Sequence, residues 1–212
     1  NPYSYATNTS RVLDPRTYYR ANYAPFNIFN ELENNYIDLG VQDAKFQVEL
    51  KYKPIQGLEL AVLGAFKHTT TSQQHNIKDN SNQALAYRAM QNSIIRDANK
   101  YLYRDPDNPN SLPMSILPNG GILHKTENTL SDYDFRVTAN YNRTFDHKHV
   151  INLFGGMETV DIQRNRSSYE GWGMQYYAGE TPFYPYQYFK KQVEEGNDYY
   201  GLTNTNWRTA AF

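Results

Sequence analysis

The sequence predicts an all-β fold: antiparallel strands joined by long loops that carry short helices. Three observations predict it. Several segments alternate apolar and polar residues with period two; aromatic side chains are abundant while aliphatic ones are scarce; and short and long connections take turns along the chain. The chain has 212 residues, 20 of them tyrosine and 23 asparagine. Leu, Ile, Val and Phe supply only roughly 20% of positions, near the border where a packed core becomes doubtful. An aromatic fraction of 15% nevertheless sets it apart from disordered chains.

Charge and cysteine content exclude whole classes. Lysine and arginine number 21 against 22 acids, a net charge of −1, so there is no basic footprint for nucleic acid. With no cysteine, disulfide scaffolds, thiolate zinc sites and thiol nucleophiles are out. The longest apolar run, "LAVLGAF" (60–66), is far short of the roughly 20 residues a membrane helix needs. A barrel strand needs no such run, because it hides its apolar residues at every second position. The chain starts at Asn1 with no leader pattern, and "WRTAAF" reads as a strand entered and then cut. An internal piece of a longer protein is expected.

The first clear strand is "AKFQVELKYK" (44–53), with Phe46, Val48, Leu50 and Tyr52 on one face and Lys45, Gln47, Glu49 and Lys51 on the other. "PIQG" (54–57) supplies turn chemistry. "LELAVLGAFKH" (58–68) then places Leu58, Leu60, Val62, Gly64 and Phe66 on one face, completing a hairpin. A second hairpin runs through residues 122–145, the turn "DHK" (146–148) and a return strand over 149–162. Within it "YDFRVTANYNRTF" (133–145) sets Tyr133, Phe135, Val137, Ala139, Tyr141, Arg143 and Phe145 against Asp134, Arg136, Thr138, Asn140, Asn142 and Thr144. A last strand begins at Gly201.

Between the strands lie long connections over 71–119 and 165–201, and residues 1–33 form a third irregular segment. One helix is expected over Asn82–Ala98, and a shorter one near Phe189–Glu195, stopped by Gly196. Loops of this length at every second strand end are uncommon in soluble domains and regular in outer-membrane barrels. Thirteen residues at about 3.4 Å span roughly 41 Å, or about 31 Å of depth at ~40° tilt. Aromatic girdles are then expected at Tyr133, Tyr141, Phe145 and Tyr52. The same alternation also suits a half-exposed sheet in a soluble sandwich, and the residues alone leave both open.

Seven collinear stretches carry a family likeness: 26–39, 46–60, 101–109, 130–142, 149–158, 167–173 and 193–205. The first reads "FNIFNELENNYIDL", the fourth "LSDYDFRVTANYN" and the last "VEEGNDYYGLTNT". Together they resemble the barrel of SusC/RagA-type TonB-dependent outer-membrane transporters of Bacteroidota. The resemblance implies about five strands of a transmembrane barrel of about 22, with 71–119 and 165–201 as extracellular loops and neither plug domain nor TonB box in this stretch. It implies a bacterial outer-membrane location and active import of glycans or, in some members, peptides. It also implies a SusD-like surface lipoprotein as lid, the TonB–ExbB–ExbD complex acting through the plug region, and outer-membrane lipid around the wall.

No catalytic constellation accompanies the strands. There is no G-x-S-x-G, H-E-x-x-H or Walker loop, so no enzyme activity and no cofactor are expected. "HKH" (147–149) reads as a polar turn rather than a metal pair. "RDPDNPN" (104–110) begins like a calcium loop, but Pro109 takes the third ligand position, so a loop turn is the better reading. The candidates for ligand or lid contact are Tyr169, Trp172, Tyr176, Tyr177, Tyr184 and Tyr186, in an aromatic loop over 169–189 that also holds Phe183 and Tyr188. The competing reading is that each ring packs the loop onto its neighbours. The competing function is a soluble β-rich glycan-binding or adhesin module, which would need another layer over the apolar face.

Overall fold

The computed structural model describes residues 28–198 and 201–212. The expected irregular segment over 1–33 therefore lies mostly outside the described residues, and its last part enters a short helix, α1 (Ile28–Asn34). The strands are β1 (Asn35–Ile55), β2 (Leu58–Ile77), β3 (Leu102–Tyr103), β4 (Met114–Ser115), β5 (Gly121–Phe145), β6 (His149–Met174) and β7 (Leu202–Ala211). The five long strands form one antiparallel sheet in the order β1-β2-β5-β6-β7, and β3 pairs with β4 in a separate antiparallel pair. The all-β expectation holds.

Both expected hairpins are present. Gln56 and Gly57 turn the chain between β1 and β2, with Gly57 at φ 94°, a conformation that suits glycine. Asp146 and His147 take φ of 50° and 52° in the second turn, closed by the Lys148 N–H donating to the Phe145 carbonyl at 3.1 Å. Strand ends differ from expectation. β2 continues to Ile77 and β6 to Met174, so the expected loops 71–119 and 165–201 shrink to 78–120 and 175–201. The extensions "TTTSQQHNI" and "QRNRSSYEGWGM" lack an apolar period, yet both lie within the sheet, the first helped by its three β-prone threonines.

The expected single helix over Asn82–Ala98 is two, α2 (Asn82–Ala86) and α3 (Ser93–Ala98). Each carries its own N-cap: Ser81 Oγ accepts from Ala84 N, and Asn92 Oδ1 accepts from Ile95 N at 2.9 Å. The Asn99 amide then donates to the carbonyls of Ala86 and Ala89, at 2.9 and 3.0 Å, satisfying groups that a continuous helix would have bonded itself. The last helix, α4 (Tyr186–Glu195), forms close to where it was expected. Gly196 at φ 69° ends it, donating to the Gln192 and Val193 carbonyls.

The contacts divide the chain into two compact units. Among the described residues, unit 1 takes 28–39, 73–126, 168–198 and 201–203; unit 2 takes 40–72, 127–167 and 204–212. Unit 1 has a core of Ile77, Ala84, Tyr103, Ile116, Leu117, Ile122, Trp172 and Tyr188, with Tyr87, Tyr184 and Phe189 packed against it. Each fully buried aliphatic side chain here contributes about 1.5–3 kcal/mol. Arg88 ties the connection after β2 together, donating to the carbonyls of Leu117, Asp79 and Gly120 and pairing with the Asp79 carboxylate at 2.8 Å. Unit 2 is the opposite case. It is sheet and turns only, and none of its residues is buried.

Candidate functional site

In unit 2 the apolar side chains that alternation places on one face stand open. Leu50 is 69% exposed, Phe46 and Tyr52 67%, and Tyr133 and Phe135 48% each. Their face is common to neighbouring strands: the Phe66 and Tyr133 rings, on β2 and β5, lie 5.0 Å apart. Phe46, Val48, Gly64, Phe66, Tyr133 and Phe135 line one almost wholly apolar cleft of about 450 Å³. Contiguous exposed apolar surface of this kind marks a contact with something other than water.

The face has limits along the strands. Beyond Phe66 and Tyr133 come His68, Thr70 and Ser131, joined by hydrogen bonds: His68 Nδ1 to Ser131 Oγ at 3.1 Å and His68 Nε2 to Thr70 Oγ1 at 3.3 Å. Asp161, also in the lining of the cleft, forms a two-pronged ion pair with Arg208 at 2.9 and 2.8 Å. A cleft of mixed character follows, lined by Thr129, Ser131, Gln163, Asn165 and Arg208 together with Trp207. Towards the turns the apolar stretch ends at Tyr52, Tyr141, Phe145 and Arg143, whose guanidinium lies 5.0 Å from the Phe145 ring. From Tyr133 to Arg143 is roughly 34 Å of strand, or about 26 Å of depth at ~40° tilt, close to the ~25 Å apolar band of a membrane barrel.

The other face is mostly polar, as the sequence predicts for Lys45, Gln47, Glu49, Lys51, Asp134, Arg136, Asn140 and Glu158, with Phe154 and Val150 of β6 as its exposed apolar exceptions. Arg136 pairs with Glu158 at 2.6 Å, Lys67 with Asp43 at 3.4 Å, Lys53 with Glu59 at 3.0 Å and Lys51 with Glu49 at 3.3 Å. Each such exposed pair adds only about 0–1 kcal/mol. Their mixed signs make a neutral, hydrogen-bonding wall rather than a steering field.

In unit 1 the six aromatic candidates divide. Tyr169 and Trp172 sit on β6 rather than in a loop, because that strand runs to Met174. Trp172 is 8% exposed, set edge-on to Tyr87 at 5.3 Å and tilted on Tyr188 at 5.4 Å. Tyr184 packs on Tyr188 and Phe189, and its hydroxyl meets that of Tyr169 at 3.2 Å. The Tyr176 hydroxyl donates to the Ile122 carbonyl at 2.8 Å. Burial pushes the phenols of Tyr176 and Tyr184 upward and that of Tyr188 to about 12. Four of the six rings thus serve internal packing. Tyr177 and Tyr186, 88% and 72% exposed, are the two open to a ligand or partner.

The "RDPDNPN" turn holds a cation of the chain's own. Lys190 Nζ donates to Asp105 Oδ1 at 2.6 Å and Asp107 Oδ2 at 2.7 Å. Both bonds raise the lysine's pKa, and its hydrogen bond holds the Asp105 carboxyl below the ordinary range. Next to this clamp, Tyr103 OH donates to Glu194 at 2.8 Å; burial first, then Glu194, pushes that phenol to about 12. No group of three or more His, Asp or Glu side chains among the described residues is arranged to hold a metal ion.

Sequence reasoning missed a row of polar side chains across unit 1. His75 Nε2 lies 2.7 Å from Asn35 Oδ1, the His75 and His124 rings are 5.9 Å apart, and His124 Nδ1 lies 3.6 Å from Glu170 Oε2. Glu170 Oε1 accepts from Trp172 Nε1 at 2.7 Å. Burial, and after it the charge of His124, lowers the His75 pKa from its ordinary 6.5. Its unfolded state therefore binds the proton better. The stability it contributes is fully present above pH 6.5 and is lost as pH falls from there through the folded value. The neighbouring His124 likewise holds the Glu170 carboxyl below 4.5, with the same sign at lower pH. Hydrogen exchange at Ile77 and Ile122 is expected to speed up as pH falls below 6.5, after correction for intrinsic rates, and His75→Gln is expected to flatten that dependence. An unchanged slope would remove His75 from the account.

No protein-family model matches the chain, and no curated protein matches it. No helix among the described residues is long and apolar enough to cross a membrane, which says nothing about crossing by strands.

Proposed function

We propose that this chain is part of the wall of an outer-membrane β-barrel of the TonB-dependent, SusC/RagA type, a transporter that imports large nutrients. The observation that carries the reading is the exposed apolar face of unit 2, bounded by polar rows and of membrane depth. Three further features support it. Tight turns and long connections alternate between successive long strands, as in barrels with short periplasmic turns and long outer loops. The outermost strands, β1 and β7, each have a neighbour on one side only among the described residues, and closure of a barrel would supply the others. The polar opposite face suits the wall of a water-filled or plugged lumen.

In this reading the cargo is a glycan, with peptides second. A SusD-like lipoprotein closes the outer mouth, and TonB–ExbB–ExbD acts through a plug region supplied by the rest of the protein. The transporter works by moving cargo, with no catalytic step. Tyr177 and Tyr186, in the connection before β7, are the rings placed for cargo or lid contact. The same two open rings also favour the second reading, a soluble glycan-binding or adhesin module.

The absence of cysteine makes the test clean. In intact cells, Tyr177→Cys and Tyr186→Cys are expected to react with a membrane-impermeant maleimide, while Gln56→Cys, in the tight turn, reacts only after the outer membrane is opened. The envelope fraction should hold all three. Recovery of the chain in the soluble fraction, or equal labelling of all three in intact cells, would overturn the reading.

A further inference from the structure

We propose that unit 2 carries a specific binding slot for one phospholipid, with an acyl chain in the cleft at Gly64 and the lipid's ester and phosphate oxygens at His68, Thr70 and Ser131. The inference rests on the membrane-barrel reading and goes beyond it, since a barrel wall needs only an apolar surface and not a shaped one.

The slot is shaped by what is missing. On the apolar face β2 places Gly64 between Val62 and Phe66, and a Cβ added at Gly64 would meet nothing within 4 Å. The flanking side chains are large: Phe46 and Val48 from β1, Phe66 from β2, Tyr133 and Phe135 from β5. A recess of about 450 Å³ between aromatic walls results, within the size range of small-molecule sites. Its exposed surface is almost wholly apolar, with Thr159, Asp134 and Asp161 in the lining as its polar members, so a hydrocarbon chain gains by filling it and a polar ligand does not.

The polar end decides the occupant. Both ring nitrogens of His68 are engaged, one by Ser131 Oγ and the other by Thr70 Oγ1. A neutral imidazole has one N–H, so one hydroxyl accepts from it and keeps its own hydrogen free; a protonated ring leaves both hydroxyls free. At least one O–H donor therefore remains for an acceptor at this end of the slot. Glycerol esters and phosphates offer acceptors and no apolar bulk. Asp161, in the lining of the cleft, is neutralised by its two-pronged pair with Arg208 and adds no net charge against the chain. An apolar protein segment would need no polar terminus at a fixed height, whereas a lipid has one.

The test uses the chain as it occurs in the cell, purified in detergent and mixed with phosphatidylethanolamine bearing two 16-carbon chains. Native mass spectrometry counts the lipids that survive activation. The wild type is expected to keep one, and Gly64→Leu, which fills the recess without disturbing backbone, to lower its retention about tenfold. His68→Ala is expected to lower it several-fold through the polar end. Retention unchanged in Gly64→Leu, or no retained lipid in the wild type, would overturn the slot. A chain that stays monodisperse without detergent would overturn the barrel reading and the slot with it, so the two failures are told apart.

Discussion

Leu50→Arg is expected to destabilise the protein in a bilayer by about 2–4 kcal/mol, the cost of an arginine near the midplane on the lipid side of a barrel. Gln47→Arg, three residues earlier on the same strand, is expected to change little, because that side chain faces the polar wall among lysines and glutamates. The pair isolates orientation from position: both lie on β1, and both are exposed. Refolding into vesicles followed by urea titration measures the difference. In a soluble module with Leu50 facing water the order would reverse, since replacing an exposed leucine by arginine removes an apolar patch. Equal effects of the two substitutions would contradict the assignment of faces.

Trp172→Ala is the other large effect, about 3–5 kcal/mol, as for a buried aromatic removed from a core. The indole touches Tyr87 and Tyr188 and donates to Glu170, so its loss opens a cavity, frees the edge of Tyr188 and leaves the Glu170 carboxylate short of a donor. The damage should appear in unit 1, as faster proteolysis within 78–120 and around α4. Tyr177→Ala, whose ring stands in solvent, should stay within about 0.5 kcal/mol. If Trp172→Ala proved as mild as Tyr177→Ala, the aromatic cluster would not be the core of that unit.

What could be read from the sequence was local. Phe46, Val48, Leu50 and Tyr52 announce a strand and its apolar face because period two is a property of the backbone. Gly57 and Gly196 announce turn and helix end because few other residues take those φ values easily. The ends of β2 and β6 were not legible: past His68 and Ile162 the period-two alternation gives way to polar runs, with Ile77, Tyr169, Trp172 and Met174 only near the tips, and the ladder that holds them comes from partners distant in sequence. The break between α2 and α3 was hidden for a related reason. Asn99 reaches back to Ala86 and Ala89, and Arg88 is drawn to Leu117 and Gly120.

The candidate site follows the same division. That 169–189 is rich in aromatic rings is plain from composition, but which rings are open depends on what Tyr87, Tyr188 and Phe189 cover. Of the six candidates only Tyr177 and Tyr186 remain exposed, and Phe183 between them is half open as well. The His75–His124–Glu170 row and the Lys190 clamp join residues far apart in the chain, and no spacing rule connects them. The "RDPDNPN" segment does show acidic loop chemistry in sequence; that a lysine fills it is visible only in the fold.

The central claim is that the period-two apolar face of unit 2 meets lipid. It is tested most directly by single cysteines at each position from 46 to 52 and from 133 to 137, spin-labelled in the chain reconstituted into phosphatidylethanolamine–phosphatidylglycerol vesicles. Collision with dissolved oxygen reports lipid, and collision with a polar nickel chelate reports water. The account predicts oxygen maxima at 46, 48, 50 and 52 and at 133, 135 and 137, with nickel access out of phase or low at those positions. Nickel access as high at 48, 50 and 135 as at 47, 49 and 136 would contradict it.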